Sequence, residues 1–311
     1  MPELITIGAI RTRMSRWGLM LGVVIAVPAC HPGNAEAKEL RSRCESGEAA
    51  ACSALGIKLL KGEYVLRDDK HGAVLLTKAC DGGIAEGCVR LGVLYQDGTG
   101  VKKDSARAIG LLQQGCGNGA MEGCTRLGVL HQQGRSVAKD IVRAANLFQQ
   151  ACDGGHQTGC ARLGALYADG EGVKQDFARA KDLFTKACDA KDPAGCVGLG
   201  RLYATGVEPP PNDSSAAVLF RGACDQREPD GCFQLAQLYE SGRGATQDFG
   251  RAASMYRNAC SNGNGEACYR LAGLYEKGAG VRRDPEQVTT YTRRACASGY
   301  APACPRSKSP S

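Results

Sequence analysis

Sixteen of the seventeen cysteines in this 311-residue chain fall on a strict beat, and that beat decides most of what the chain can fold into. Cys44, Cys80, Cys116, Cys152, Cys188, Cys224, Cys260 and Cys296 are each 36 residues apart. Cys52, Cys88, Cys124, Cys160, Cys196, Cys232, Cys268 and Cys304 keep the same step, which makes eight copies of C-x7-C and leaves Cys30 over. A fixed period of this length signals stacked units rather than one closed core. So many cysteines imply an oxidising compartment, because cytosolic reductants would hold them as thiols.

Two local pairings are geometrically sensible. One joins neighbours across a glycine turn, as Cys80 with Cys88. The other joins Cys52 with Cys80 and Cys88 with Cys116 across a whole hairpin, and it leaves Cys44 and Cys304 unpaired. The ends of the array therefore favour Cys44–Cys52, Cys80–Cys88, Cys116–Cys124, Cys152–Cys160, Cys188–Cys196, Cys224–Cys232, Cys260–Cys268 and Cys296–Cys304. Each such loop would contribute roughly 2.5 kcal/mol in the chain-entropy model. Zinc ligation is not expected, since neither C-x2-C nor a paired His spacing occurs and the four His are scattered. No cofactor or metal is expected.

Within one period the chain reads as two helices. In the stretch ending at Cys188, Cys160, Leu163, Gly164 and Tyr167 form an i, i+3, i+4, i+7 stripe. Gly170 and Gly172 break the chain, and Asp176 opens the second helix as an N-cap. Ala180, Leu183, Phe184 and Ala187 make that helix's buried stripe. The cap slot holds Asp68, Asp104, Asp140, Asp176, Asn212, Asp248 and Asp284, and small residues at 56, 92, 128, 164, 200, 236 and 272 permit close helix approach. The expectation is seven helix–turn–helix units, a truncated helix before them (about 36–44) and a half unit after (about 300–304). Stacked, they make an all-α, right-handed α-solenoid with an extended concave face, one elongated domain over 39–304.

The consensus L-G-x-L-Y-x2-G-x-G-V-x2-D-x3-A-x2-L-F resembles the Sel1-like repeat, a relative of the tetratricopeptide repeat, over about 85% of the chain. The added C-x7-C is similar to the cysteine-rich Sel1-like proteins typified by the Helicobacter cysteine-rich protein family, in which disulfides link neighbouring helices. The resemblance implies a scaffold for protein partners. It also brings two alternatives. Some such proteins are described as penicillin-binding or β-lactamase-like, and a mitochondrial relative suggests a redox or haem-handling assembly factor.

Upstream, Arg16 precedes an apolar run from Gly18 to Val27, which reads as an export signal over 1–29, too short to span a membrane. Met14 could be the true start. Val27-Pro28-Ala29-Cys30 resembles a bacterial lipobox apart from Pro28, so Cys30 is expected to carry the lipid of an anchor. Residues 30–38 then form a tether and 305–311 a frayed tail. His31 rather than Asp after Cys30 favours the outer membrane, within an overall assignment to the cell envelope. Removing 1–29 lowers the net charge from +7 to +5 and takes the sole tryptophan, Trp17. The remaining positive charge is spread without a basic block, so nucleic acid is a poor partner.

Catalytic motifs are scarce. Ser136 and Lys139 in "SVAK" match S-x-x-K, but S-D-N and K-T-G are missing and Ser136 stands in a turn-glycine slot. No H-E-x-x-H, phosphate loop or C-x-x-C occurs. Arg90, Arg126, Arg162 and Arg270 recur at one helix position and could read carboxylates or form inter-repeat salt bridges. A protein or peptide ligand would use positions one, five and eight after the second cysteine, which share a flank about 80–140° from the core stripe. These include Val89, Val93, Val129, Ala161, Ala165, Arg201, Phe233, Gln237 and Tyr269. Val93, Val129, Arg201 and Gln237 would line the groove, with Phe233 and Tyr269 as its aromatic anchors. Pro209-Pro210-Pro211 replaces the glycine loop in one unit and reads as a rigid corner or a tolerated variant.

Overall fold

The structure is a computed structural model that describes residues 32–206 and 211–304. The export signal, Cys30, Pro209, Pro210 and the tail after 304 lie outside the described residues. Among the described residues there are fifteen α-helices, one short 3-10 helix and no strand. Helix α1 spans Pro32–Glu45. Seven antiparallel pairs follow: α2 (Ala49–Lys61) with α3 (Asp69–Asp81), α4 (Ala85–Asp97) with α5 (Ser105–Gly117), and α6 (Met121–Gln133) with α7 (Ile141–Asp153). Next come α8 (Gln157–Asp169) with α9 (Phe177–Asp189), α10 (Pro193–Thr205) with α11 (Asp213–Asp225), α12 (Pro229–Ser241) with α13 (Phe249–Ser261), and α14 (Gly265–Lys277) with α15 (Pro285–Ala297). A 3-10 turn, Ala301–Ala303, closes the array.

Each helix boundary has a local cause. The first helix of every pair stops at a left-handed glycine, such as Gly98 at φ 78° and Gly170 at φ 70°, where a side chain would be strained. Six residues later the cap carboxylates or amides take over. Asp104, Asp176 and Asp248 accept backbone N–H bonds from Arg107, Arg179 and Arg251 at 2.8–3.0 Å, satisfying donors that a helix start leaves open. The same arginines lie over the ring of the preceding helix's tyrosine, with Arg107 to Tyr95 at 5.4 Å and Arg179 to Tyr167 at 5.5 Å. In α6 that tyrosine is replaced by His131, which is buried at 7% exposure.

Packing within a pair rests on the small residue opposite a large one. A Cβ on Gly128 would come within 2.5 Å of the Phe148 ring, so the helices can close only over glycine. Leu112, Phe148, Phe220 and Tyr256 occupy the large slot and are at most 1% exposed. Between pairs, a second stripe interlocks. Val89 is 1% exposed because α5 and α6 close over it, and a Cβ on Gly115 would sit 2.5 Å from its methyl group. Helix α1 also starts earlier than the sequence pattern suggests, so most of the expected tether is helical. Ala37 packs beside Cys44, Leu55 and Leu59, and Glu36 pairs with Lys58 at 3.2 Å, which gives those residues a reason to stay helical.

Candidate functional site: the inner groove

Eight disulfides connect consecutive units. Cys80 in α3 bonds Cys88 in α4, and the pattern runs from Cys44–Cys52 to Cys296–Cys304 with Cα–Cα distances of 4.5–4.8 Å. The six interior ones bridge the second helix of one pair to the first helix of the next, across a turn such as Gly82-Gly83, while Cys44–Cys52 ties α1 to α2 and Cys296–Cys304 ties α15 to the end of the 3-10 turn. Among the described residues no cluster of His, Cys, Asp or Glu is placed to hold a metal. No described helix is long and apolar enough to cross a membrane.

The first helices of successive pairs form the inner layer. Helix α8 touches α6 and α10 directly, and α10 touches α12. Two adjoining cavities open on this layer. One, of about 540 Å³, lies between α8 and α10, with Ala161, Ala165, Ala168 and Val197 on its walls and Phe184 in its floor. The second, of about 420 Å³, lies between α6 and α8 and is lined by Glu122, Arg126, Val129, Arg135 and His156. Thr158 and Arg162 belong to both, so the two form one trough. Both volumes are in the range of ligand pockets.

The residues expected to bind are dispersed. Arg201 is exposed on the wall of the larger cavity, 3.9 Å from Asp230. Val129 is half-buried on the smaller one. Val93 and Gln237 are half-buried on α4 and α12 and line neither cavity. Phe233 is not an available anchor. It is 7% exposed, with Tyr256 at 5.9 Å and Arg270 over its ring at 6.0 Å, because the position after the second cysteine serves the interface between units. Tyr269 is 42% exposed but leans on Tyr300 at 5.4 Å near the end of the array. A helix in a stack buries two stripes, one against its own partner and one against the next unit, and a single-stripe reading misplaces the second.

Ser136 takes a left-handed backbone with φ 63°, as Gly172 and Gly244 do in their units. It and Lys139 are both exposed in the inter-helix loop, and no hydrogen bond joins them among the described residues. A nucleophile needs its base within hydrogen-bond reach, and that geometry is lacking here.

Charge on the inner layer is organised by the arginine series. Arg90 reaches Glu86 at 3.5 Å and Glu122 of the next unit at 4.0 Å; Arg126 pairs with Glu122 at 2.7 Å, and Arg270 with Glu266 at 3.1 Å. Burial, opposed by Asp192 and Glu228, holds the Arg162 guanidinium below its ordinary pKa. The Glu228 carboxyl, on the wall of the larger cavity, is raised by burial and by Asp230 beside it. Reading the sequence for motifs misses Phe184 and Glu228 as cavity residues. Phe184 matches Phe148 and Phe220 in its column, so its only sequence signal is indirect, the glycine at 198 where other units carry a larger residue.

The Sel1 repeat matches seven stretches: residues 49–84, 85–119, 122–156, 158–192, 193–227, 229–264 and 265–300. A Sel1 repeat protein of Oxalobacter formigenes superposes with a TM-score of 0.68 at 21% identity, over 78% of this chain and 96% of that one. The protective antigen c5321 of uropathogenic Escherichia coli strains, with an SLR fold, gives 0.64 at 26% identity over 86% of this chain. This chain spans 57% of that protein's length. Cysteine rich protein B of Helicobacter pylori is 27% identical over 41% of this chain and 96% of its own, with a TM-score of 0.35. No curated protein matches the sequence at significance.

Proposed function

The chain belongs to the Sel1 repeat family, whose scaffolds typically mediate protein interactions, and from that premise we propose that it holds an extended polypeptide along its inner groove at the bacterial cell envelope. The observation that carries the reading is the continuous trough across α6, α8 and α10, with an apolar floor and charged walls on consecutive first helices. Such a surface offers side-chain pockets at regular intervals, and rigid stacked hairpins lower the ordering cost of binding. Eight disulfides suit an oxidising, extracytoplasmic setting. Export through the segment before Cys30 and a lipid on Cys30 complete the proposal.

A photo-crosslinking residue placed at Ala165 in the groove should trap a partner polypeptide from envelope extract. The same residue at Val218, 67% exposed on the second-helix layer, should not. Equal trapping from both positions refutes the groove. Cys30→Ser should move the protein from the membrane to the soluble fraction, and continued membrane retention refutes the lipid anchor.

A further inference from the structure

The inner arginines are not equivalent. Arg90, Arg126 and Arg270 each have a glutamate one helical turn earlier, and all three are ion-paired with it. Arg162 has Thr158 at that place, and the Thr158 hydroxyl donates instead to Asp192 of the next unit at 2.8 Å. Arg162 is half-buried and forms no ion pair within 4.0 Å among the described residues. It is thus a desolvated cation without a direct counter-ion, in the trough where the two cavities meet.

The adjoining unit departs in the opposite way. The arginine slot there holds Gly198, with Ala194 one turn before it. A Cβ at 198 would overlap the Phe184 ring, so no larger residue can enter; the ring takes that place, and Phe184 and Gly198 both line the larger cavity.

We propose that these two departures make one selective subsite, in which Arg162 receives a carboxylate of the bound peptide and the cavity beside Gly198 receives a large apolar side chain. The inference rests on the groove reading above and adds its specificity. An arginine meeting a carboxylate in a partly dry site forms charge-assisted hydrogen bonds, and Arg162 has no internal pair to break first. The smaller cavity favours an anion, since Arg126, Arg135 and Arg162 line it with a single carboxylate, Glu122. Asp192 and Glu228 near the guanidinium disfavour a dianion, which selects a carboxylate over a phosphate. Packed helices are about 8–10 Å apart and an extended chain advances about 3.3 Å per residue, so the acidic and apolar side chains sit about three residues apart.

The test uses the full, oxidised chain and a positional-scanning library of acetylated, amidated decapeptides. Selection of Asp or Glu at one position and of Leu, Met or Phe about three residues away is the expected result. Arg162→Gln should reduce the acidic preference about tenfold and keep the apolar one with an unchanged melting midpoint. Ala165→Leu, which fills the cavity, should do the reverse. Apolar selection without an acidic position, or an acidic preference that survives Arg162→Gln, overturns the subsite and leaves the groove standing. Binding of no peptide at all overturns both.

Discussion

Removing an interior disulfide should cut the solenoid in two, and removing a terminal one should not. In Cys152→Ala/Cys160→Ala the lost bridge closes a loop with a sequence separation of 8, for which the chain-entropy relation gives about 2.5 kcal/mol. Both residues are almost fully buried, at 1% and 0% exposure, so the two vacated sulfur positions cost roughly 1 kcal/mol each, as buried methyl deletions do. The expected loss is about 4.5 kcal/mol. In a nearest-neighbour array it falls on the α7–α8 junction and uncouples α1–α7 from α8–α15. Cys44→Ala/Cys52→Ala removes an equally short loop, but only α1 lies beyond it. Urea unfolding followed by far-ultraviolet circular dichroism measures the loss, and hydrogen exchange read by mass spectrometry locates it. Faster exchange should centre on α7 and α8 in the interior variant and stay within α1 in the terminal one. An interior loss below about 1 kcal/mol, uniform acceleration along the chain, or equal global losses would refute nearest-neighbour stapling.

Two helical glycines should respond to alanine with opposite signs. Gly110 sits exposed in α5, where an added Cβ would meet nothing within 4 Å, so Gly110→Ala should stabilise by about 0.5–1 kcal/mol. Gly198→Ala gains the same propensity but overlaps Phe184, and overpacking of about 1–3 kcal/mol should lower its melting temperature; matching signs in thermal melts would remove the steric account. Burial raises the Glu228 pKa in the fold, so the folded state holds that proton more tightly than the unfolded one. Its contribution to stability therefore falls as pH rises from the ordinary carboxylate range through the raised value. Glu228→Gln should be more stable than the parent at neutral pH and indistinguishable at pH 3, and a constant difference across that range in urea melts would contradict the assigned cause.

The repeat architecture is legible because its determinants are local and recur. Asp104, Asp176 and Asp248 cap helices wherever they stand, since a side-chain oxygen three residues before an open N–H needs no distant partner. The cysteine beat, the glycine stops and the large-against-small pairing of Phe148 with Gly128 likewise repeat within single units. Phe233 and Tyr269 share a register and differ in fate, because Tyr256 of its own hairpin and Arg270 of the next unit lie on Phe233, whereas Tyr269 stands near the end of the stack. No property of one helix distinguishes them.

Order along the chain thus prescribed the helices, their caps and the spacing of the sulfurs, since each depends on atoms a few residues apart. Which surface stays open was decided only when the units stacked. Burial of the second stripe, the isolation of Arg162 and the hollow over Phe184 all arise from side chains 14 to 34 residues apart, brought into contact by the superposition of neighbouring hairpins.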